Sequence, residues 1–326
     1  MINGLRCGLL RRSCEPDRRL RALRMLRAAS GALILLLLAA VVQPSVWAQA
    51  RGAAGSESEP PQTVLNPKGM RVFIWTGLKT HGAGLHDYPL FLAEWSSVLN
   101  QQGAVVDGAL HFPTSADLEH TDVLVIYKGD AGYMNASQKA TLEAFVKRGG
   151  GMVILHDSEC GPDPDYYSTI VGGAKKHGES NSVSGKLTYE VVDKSHPIMK
   201  DLSDMTLDEE AFYRMTWVKD PRIHPLVTVQ LPDNPRVGEH KGVVVPQIWI
   251  YEHTLPGGQP ARVFVSMQGH SNATFNLPPI KRTLLRGIAW AGKRPVDELV
   301  DYVAPARPAR RSPPEGREAP APSGPR

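Results

Sequence analysis

Three short apolar runs frame the chain: Val72 to Thr76, Asp122-Val-Leu-Val-Ile-Tyr127 and Met152-Val-Ile-Leu155. Unbroken runs of this length suit strands buried on both faces, the habit of a central parallel sheet. A further short strand is predicted between the first two runs, at Ala104 to Leu110. Ahead of it, Leu90, Phe91, Ala93, Trp95, Val98 and Leu99 recur at helical spacing behind Asp87, which suits an N-cap. A second helix carries Leu142, Phe145 and Val146 on its inner face. Asn135 or Ser137 can cap it, and Gly149-Gly-Gly151 ends it. The order β-α-β-β-α-β predicts a doubly wound α/β fold with right-handed crossovers. In a flavodoxin-like strand order, the loops at 77–87, 128–133 and 156–161 converge on one crevice between the first and third strands.

The second half is less regular. Strands are expected at Lys186 to Val192, His224 to Leu231, Val243 to Tyr251 and Arg262 to Met267. A last helix, Pro279 to Ala291, carries Leu284, Leu285, Ile288 and Trp290. No internal repeat is visible, so this half should extend the same sheet rather than form its own domain.

The ends read differently. Arginines in 18–30, the apolar run 31–42 and Ala48-Gln-Ala50 form a secretory signal peptide over 1–50, cut after Ala50 or Ala48. Met25 is an alternative start, and an uncleaved anchor is the alternative to cleavage, although the run is short for a membrane span. Residues 51–69 read as a linker, 70–303 as the folded domain and 304–326 as a disordered Pro/Arg-rich tail. The chain carries 37 basic and 33 acidic residues; taking away the 13 arginines and 4 acids of 1–30 and 304–326 leaves 24 and 29, a net charge of −5. The basic balance belongs to the ends, which removes the electrostatic footprint of a nucleic-acid binder. The expected location is periplasmic or secreted, with no stable membrane span after cleavage. Cys160 alone remains after the leader is lost, so no internal disulfide framework is expected.

Histidines and carboxylates follow the predicted strands: His81, His86 and Asp87 after the first, His156, Asp157 and Glu159 after the fourth. His177, His196, Glu209, Glu210, Tyr213 and His270 come later. Gathered in one crevice, such groups could hold a divalent metal ion with a position open to substrate. They could equally serve as general acid and base without one. No spacing matches a zinc signature such as H-E-x-x-H. His111, His120, His224, His240 and His253 read as loop or capping residues. Cys160 lacks a Gly-x-Cys-x-Gly elbow and Ser158 a Gly-x-Ser-x-Gly context, so neither reads as a nucleophile. Gly77, Gly82 and Gly84 are not spaced as a dinucleotide fingerprint. Tyr133, Tyr166 and Tyr167, on predicted loops, are candidate stacking surfaces for a sugar, whereas Trp75 and Trp249 read as core.

Several motifs, in order, resemble the ThuA-like (trehalose utilisation) family. They are Gly77-Leu-Lys-Thr-His-Gly-Ala-Gly-Leu-His-Asp-Tyr88, Gly149-Gly-Gly-Met-Val-Ile-Leu-His156 and Ser195-His-Pro-Ile198, then Asp208-Glu-Glu-Ala-Phe-Tyr213, Pro246-Gln-Ile-Trp249, Arg262-Val-Phe-Val-Ser-Met-Gln-Gly-His270 and Gly287-Ile-Ala-Trp-Ala291. The resemblance covers about 70–292. It implies a class I glutamine amidotransferase-like, flavodoxin-like three-layer sandwich with a mostly parallel sheet, without the amidotransferase nucleophile. It also implies a part in disaccharide catabolism, in which a sugar oxidised at carbon 3 is cleaved. The chain has His156-Asp157 where the family more often has His-Ala or His-Tyr, and Glu-Glu-Ala-Phe-Tyr where many members have Asp-Glu-x-Tyr. On this basis the expected activity is hydrolase or lyase cleavage of a small-molecule glycoside, a 3-keto-glycoside or related sugar derivative. His156 is the expected base, with Asp157 or Glu210 orienting it. His81, His86, Asp87, Tyr213, Gln247 and His270 are the expected substrate-binding residues. Any metal would sit among His81, His86, His156 and His270. A non-catalytic sugar-binding or partner-binding protein is the alternative.

Overall fold

The computed structural model describes residues 69–301 and Val303. The expected signal peptide, the tail, and the linker apart from Gly69 lie outside the described residues. In the first half the apolar runs form β1 (Arg71–Thr76), β2 (Val105–Ala109), β3 (Val123–Tyr127) and β4 (Gly151–Leu155). Between them lie α1 (Tyr88–Gln101), α2 (Ser115–Glu119) and α3 (Ala136–Lys147). The four strands pair in parallel in the order β2-β1-β3-β4, so the order reverses between β1 and β3 as expected. β2 is the edge strand and only half buried.

The second half adds α4 (Pro164–Val171), β5 (Gly173–Ala174), β6 (Asn181–Val191), β7 (Met205–Tyr213), β8 (Thr216–Trp217), β9 (Ile223–Gln230), β10 (Val244–His253), β11 (Ala261–Ser266) and α5 (Pro278–Ala291). β11 joins β4 in parallel, and β10, β9, β6 and β7 continue the same sheet antiparallel. β5 and β8 form a separate two-stranded ribbon.

Alternation along the strands sets the layers, because successive side chains point to opposite faces. Val72, Ile74, Val125, Tyr127, Val153 and Leu155 meet Phe91 and Trp95 of α1 and Leu284 and Ile288 of α5. Phe73, Trp75, Leu124, Ile126, Met152 and Ile154 meet Leu142 and Phe145 of α3 and Ile170 and Val171 of α4. The result is the expected three-layer α/β sandwich. Asn135, not Ser137, caps α3, in a reciprocal box with Gln138. Asp87 stands at the N-cap of α1, but its carboxylate accepts from the Gly84 N–H at 3.2 Å and pairs with Lys79 at 3.0 Å.

The sequence reading does not anticipate α2, β5 or β8, and two further elements also depart from expectation. Tyr166 and Tyr167 lie on α4 rather than a loop. Asp163 starts this helix by accepting from the Tyr166 N–H, and Tyr167 is sealed in the core. β7 is a full strand although its sequence, MTLDEEAFY, is interrupted by three acids. Pairing with β6 along its whole length overrides that local signal. Among the described residues no helix is long and apolar enough to cross a membrane.

Candidate metal centre

Three loops meet over the strand reversal. Asp130 N–H donates to the Asp157 carbonyl, Gly132 N–H to that of Cys160, and Lys128 N–H to the Ser158 hydroxyl. Gly132 and Gly161 let the backbones touch: a Cβ on Gly132 would lie 2.8 Å from the Cys160 carbonyl oxygen and from Gly161 Cα. The loop after β1 is zipped to the loop after β11, with His86 N–H donating to the His270 carbonyl and Asn272 N–H to that of Gly84. His86 (φ 44°), Asp130 (φ 60°) and His156 (φ 53°) all adopt the left-handed region here. Non-glycine residues seldom do so, and where they do the strain is often local to function.

His156 occupies the turn directly after β4 and is completely buried. Its Nδ1 donates to the Met267 carbonyl at 2.9 Å, which leaves a lone pair on Nε2. That atom lies 3.0 Å from His86 Nε2, which in turn lies 3.0 Å from His270 Nδ1. Tyr88 and Thr80 hydroxyls sit 3.0 and 3.3 Å from His86 Nδ1. Glu210 Oε2 completes the group, 3.6 Å from His156 Nε2 and 3.4 Å from His270 Nδ1. All four atoms lie within 4.8 Å of one another. Burial above all, and then neighbouring positive charge, lowers the pKa of His86 to about 4; burial does the same for His156, to about 3. Both imidazoles are therefore neutral at pH 7. One proton on His86 Nε2 can serve only one of its two nitrogen neighbours, whereas a divalent cation would serve all four atoms. Three imidazoles and a carboxylate are a donor set suited to zinc and neighbouring first-row ions.

Behind these four side chains stands a supporting layer of the kind that orients metal ligands. Successive residues of β7 diverge, so Glu209 reaches under the 269–274 loop while Glu210 reaches the histidines. Glu209 accepts from the N–H groups of Gly269 and His270 at 3.2 Å, from Ser271 N–H at 3.4 Å and from the Thr274 hydroxyl at 2.6 Å. A cavity of about 250 Å³ opens beside the cluster, lined among others by His81, Asp157, Lys175, His177 and Phe212. Lys175 pairs with Asp157, and its Nζ stands 4.0 Å over the Phe212 ring. Cys160 is buried, and burial pushes its thiol up, away from the thiolate that a nucleophile needs.

The sequence profile of one family, described as trehalose utilisation, matches residues 71–291, more than half of the chain. The chain belongs to the ThuA family. That membership points to a carbohydrate-related role. No curated protein matches it. Among solved structures this ThuA protein is similar to a ThuA-like protein from Parabacteroides merdae, at 20% identity over 69% of this chain and 90% of that one, with a TM-score of 0.53. It is also similar to a ThuA-like protein from Bacteroides uniformis, at 16% identity over 70% and 94% of the two chains, with a TM-score of 0.49. The first likeness supports the flavodoxin-like sandwich.

The ThuA chain brings together His86, His156, Glu210 and His270, and sets Asp157 and His81 at the cavity beside them. His81 stands outside the cluster: it is exposed, its Nδ1 is 2.9 Å from the Thr80 hydroxyl, and its ring leans on His86 at 3.8 Å. Glu210 takes the place that the sequence reading gives to His81. Asp157 does not orient His156, because the Met267 carbonyl does so and Asp157 is held by Lys175. Asp87, Tyr213 and Gln247 do not line the cavity. Tyr213 donates to the Arg236 carbonyl, and Gln247 is buried with its amide bonded to both the N–H and the carbonyl of Phe212. Lys175 escapes the sequence reading, and Glu209 appears there as a candidate without its supporting role. Lys175 follows a two-residue strand that pairs with residues far downstream, and Glu209 is told from Glu210 only by strand phase. His253 and His111 bond to backbone carbonyls, as expected.

Proposed function

We propose that this ThuA protein is an exported enzyme that cleaves a 3-keto-glycoside, or a related sugar derivative, at a divalent metal centre formed by His86, His156, Glu210 and His270. The observation that carries this reading is the convergence of four ligand atoms, with neighbouring separations of 3.0–3.6 Å. A tetrahedral site with bonds of about 2.0–2.1 Å has edges of roughly 3.3–3.4 Å. A bound divalent ion would supply positive charge to a keto oxygen of the substrate. The hydrogen on the carbon beside that keto group is acidic. Of the two cavity imidazoles outside the ligand set, His177 pairs with Asp130 whereas His81 leans on His86, and His81 takes the role of base in place of His156. At roughly 30 Å³ per water the cavity has the volume of about eight waters, room for one sugar ring with its substituent reaching outward. Export rests on the N-terminal sequence pattern.

The test uses the full chain, incubated with a 3-keto-disaccharide and separately with the unoxidised sugar, with and without chelator. Mass spectrometry follows the products, and elemental analysis the bound ion. The expected result is about one ion per chain, with a monosaccharide released from the keto form only and lost on chelation. Tight sugar binding without product would replace the enzyme with a sugar-binding protein.

A further inference from the structure

We infer that Lys175 is a catalytic residue of this site, the proton donor to the oxygen that leaves when the glycosidic bond breaks. The inference rests on the cleavage proposed above and adds a residue and a step to it.

Lys175 is 8% exposed, and a lysine is seldom that buried unless it is paired. Its backbone is fixed on both sides: its N–H donates to the Glu159 carbonyl at 3.1 Å, and its carbonyl accepts from the Gly161 N–H at 3.0 Å. This bridge ties Lys175 to the turn that carries His156 and Asp157. The ammonium pairs with Asp157 and lies over the face of Phe212, whose ring also packs against His156 at 5.2 Å. Phe212 in turn is fixed by Gln247. Lys175 and three of the four histidine-cluster residues, His86, Glu210 and His270, line one cavity. The ammonium has three donors, and Asp157 uses one of them. The remaining donors are available to an oxygen in the cavity.

The chemistry of elimination calls for such a donor. The base removes the proton beside the keto group, and the electron pair of that C–H bond becomes the new C=C bond. The C–O bond to the substituent breaks with its electron pair on oxygen. That oxygen takes a proton from the Lys175 ammonium and leaves as an alcohol; solvent then returns the proton to the amine. A sugar alkoxide is nearly as basic as hydroxide, whose conjugate acid has a pKa of about 15.7. A lysine ammonium, near 10.4 in water, is the stronger acid by several units, so the transfer runs downhill. The ion pair with Asp157 keeps Lys175 charged, its pKa held above the ordinary value against the opposing effect of burial.

The decisive comparison varies the leaving oxygen. Full-length wild type, Lys175→Met and the double variant Lys175→Met/Asp157→Asn are assayed on a 3-keto-disaccharide and on a 4-nitrophenyl 3-keto-glucoside, whose nitrophenolate departs as a stable anion. The double variant removes both charges, so no unpaired buried carboxylate is left to unfold the protein. Both variants should lose about 10²–10⁴-fold in kcat on the disaccharide and less than about tenfold on the nitrophenyl substrate. Bound-ion content of both variants, and the melting temperature of the double variant, should stay near those of the wild type. Equal losses on both substrates, or a disaccharide rate near wild type, would overturn the assignment. Failure of the wild type to cleave either substrate would overturn the cleavage reading itself, and Lys175 with it.

Discussion

The two halves of the sheet contribute to the centre in different ways. In the parallel half, β1, β3 and β4 are buried along almost their entire length, and the chemistry sits on the loops at their ends. His86 and His156 come from those loops. In the antiparallel wing, the functional groups stand within a strand: Glu209, Glu210 and Phe212 are consecutive or near-consecutive residues of β7. A loop can be shaped around a metal or a substrate without disturbing the sheet. A strand offers alternate residues to opposite sides, so one short stretch supplies both a ligand and the support of another ligand. The centre therefore combines adaptable imidazoles with a carboxylate of fixed position.

If both halves are needed equally, Glu210→Gln and His86→Gln should be equivalent despite their different origins. Each should lower ion affinity by about 10²-fold or more, read by titration with zinc under a competing chelator. A large loss for one variant only would assign the centre to a single half. A medium effect is expected at Gln247, whose amide bonds tie β10 to Phe212. Gln247→Leu leaves a buried N–H and a buried carbonyl without partners and should destabilise the fold by on the order of 2–3 kcal/mol in urea unfolding. An unchanged midpoint would mean that β7 holds its place without that link.

The smallest effect belongs to the turn after β4. Glu159 is completely buried, and neither carboxyl oxygen has a hydrogen-bond partner. Burial raises its pKa well above the ordinary value, so the folded protein keeps the proton. The unfolded chain releases it near pH 4.3. As pH rises past that point the unfolded state binds fewer protons than the native one, and stability falls until the folded group also ionises. Glu159→Gln cannot ionise and avoids that loss. Its melting temperature at pH 7 should exceed that of the wild type by about 2–4 °C, with the gap closing below pH 4. A variant that melts lower at both pH values would show that the carboxyl has a partner when folded.

Sequence alone made the parallel half legible because local signals there agree with the final fold. The runs at β1, β3 and β4 are apolar throughout, and Asn135 with Gln138 forms a recognisable cap. The histidines were legible for a related reason: they follow strands whose ends can be placed. The wing was harder, because strand pairing between distant segments overrides the acids of β7 and sets the phase that separates Glu209 from Glu210. Neighbours in sequence also misled. His81 lies five residues from His86, yet the fourth partner of the histidines comes from residue 210.

The ligand positions 86, 156, 210 and 270 are spread across most of the domain, and the backbone zip between Gly84–His86 and His270–Asn272 closes the longest of those gaps. A chain that has assembled only its first four strands carries two of the four ligands. Closing so long a loop is costly in entropy and tends to come late in folding. Capture of an ion at this cluster would therefore act as a check on completeness: truncated or half-folded molecules offer two imidazoles, and only the finished sheet offers the full set.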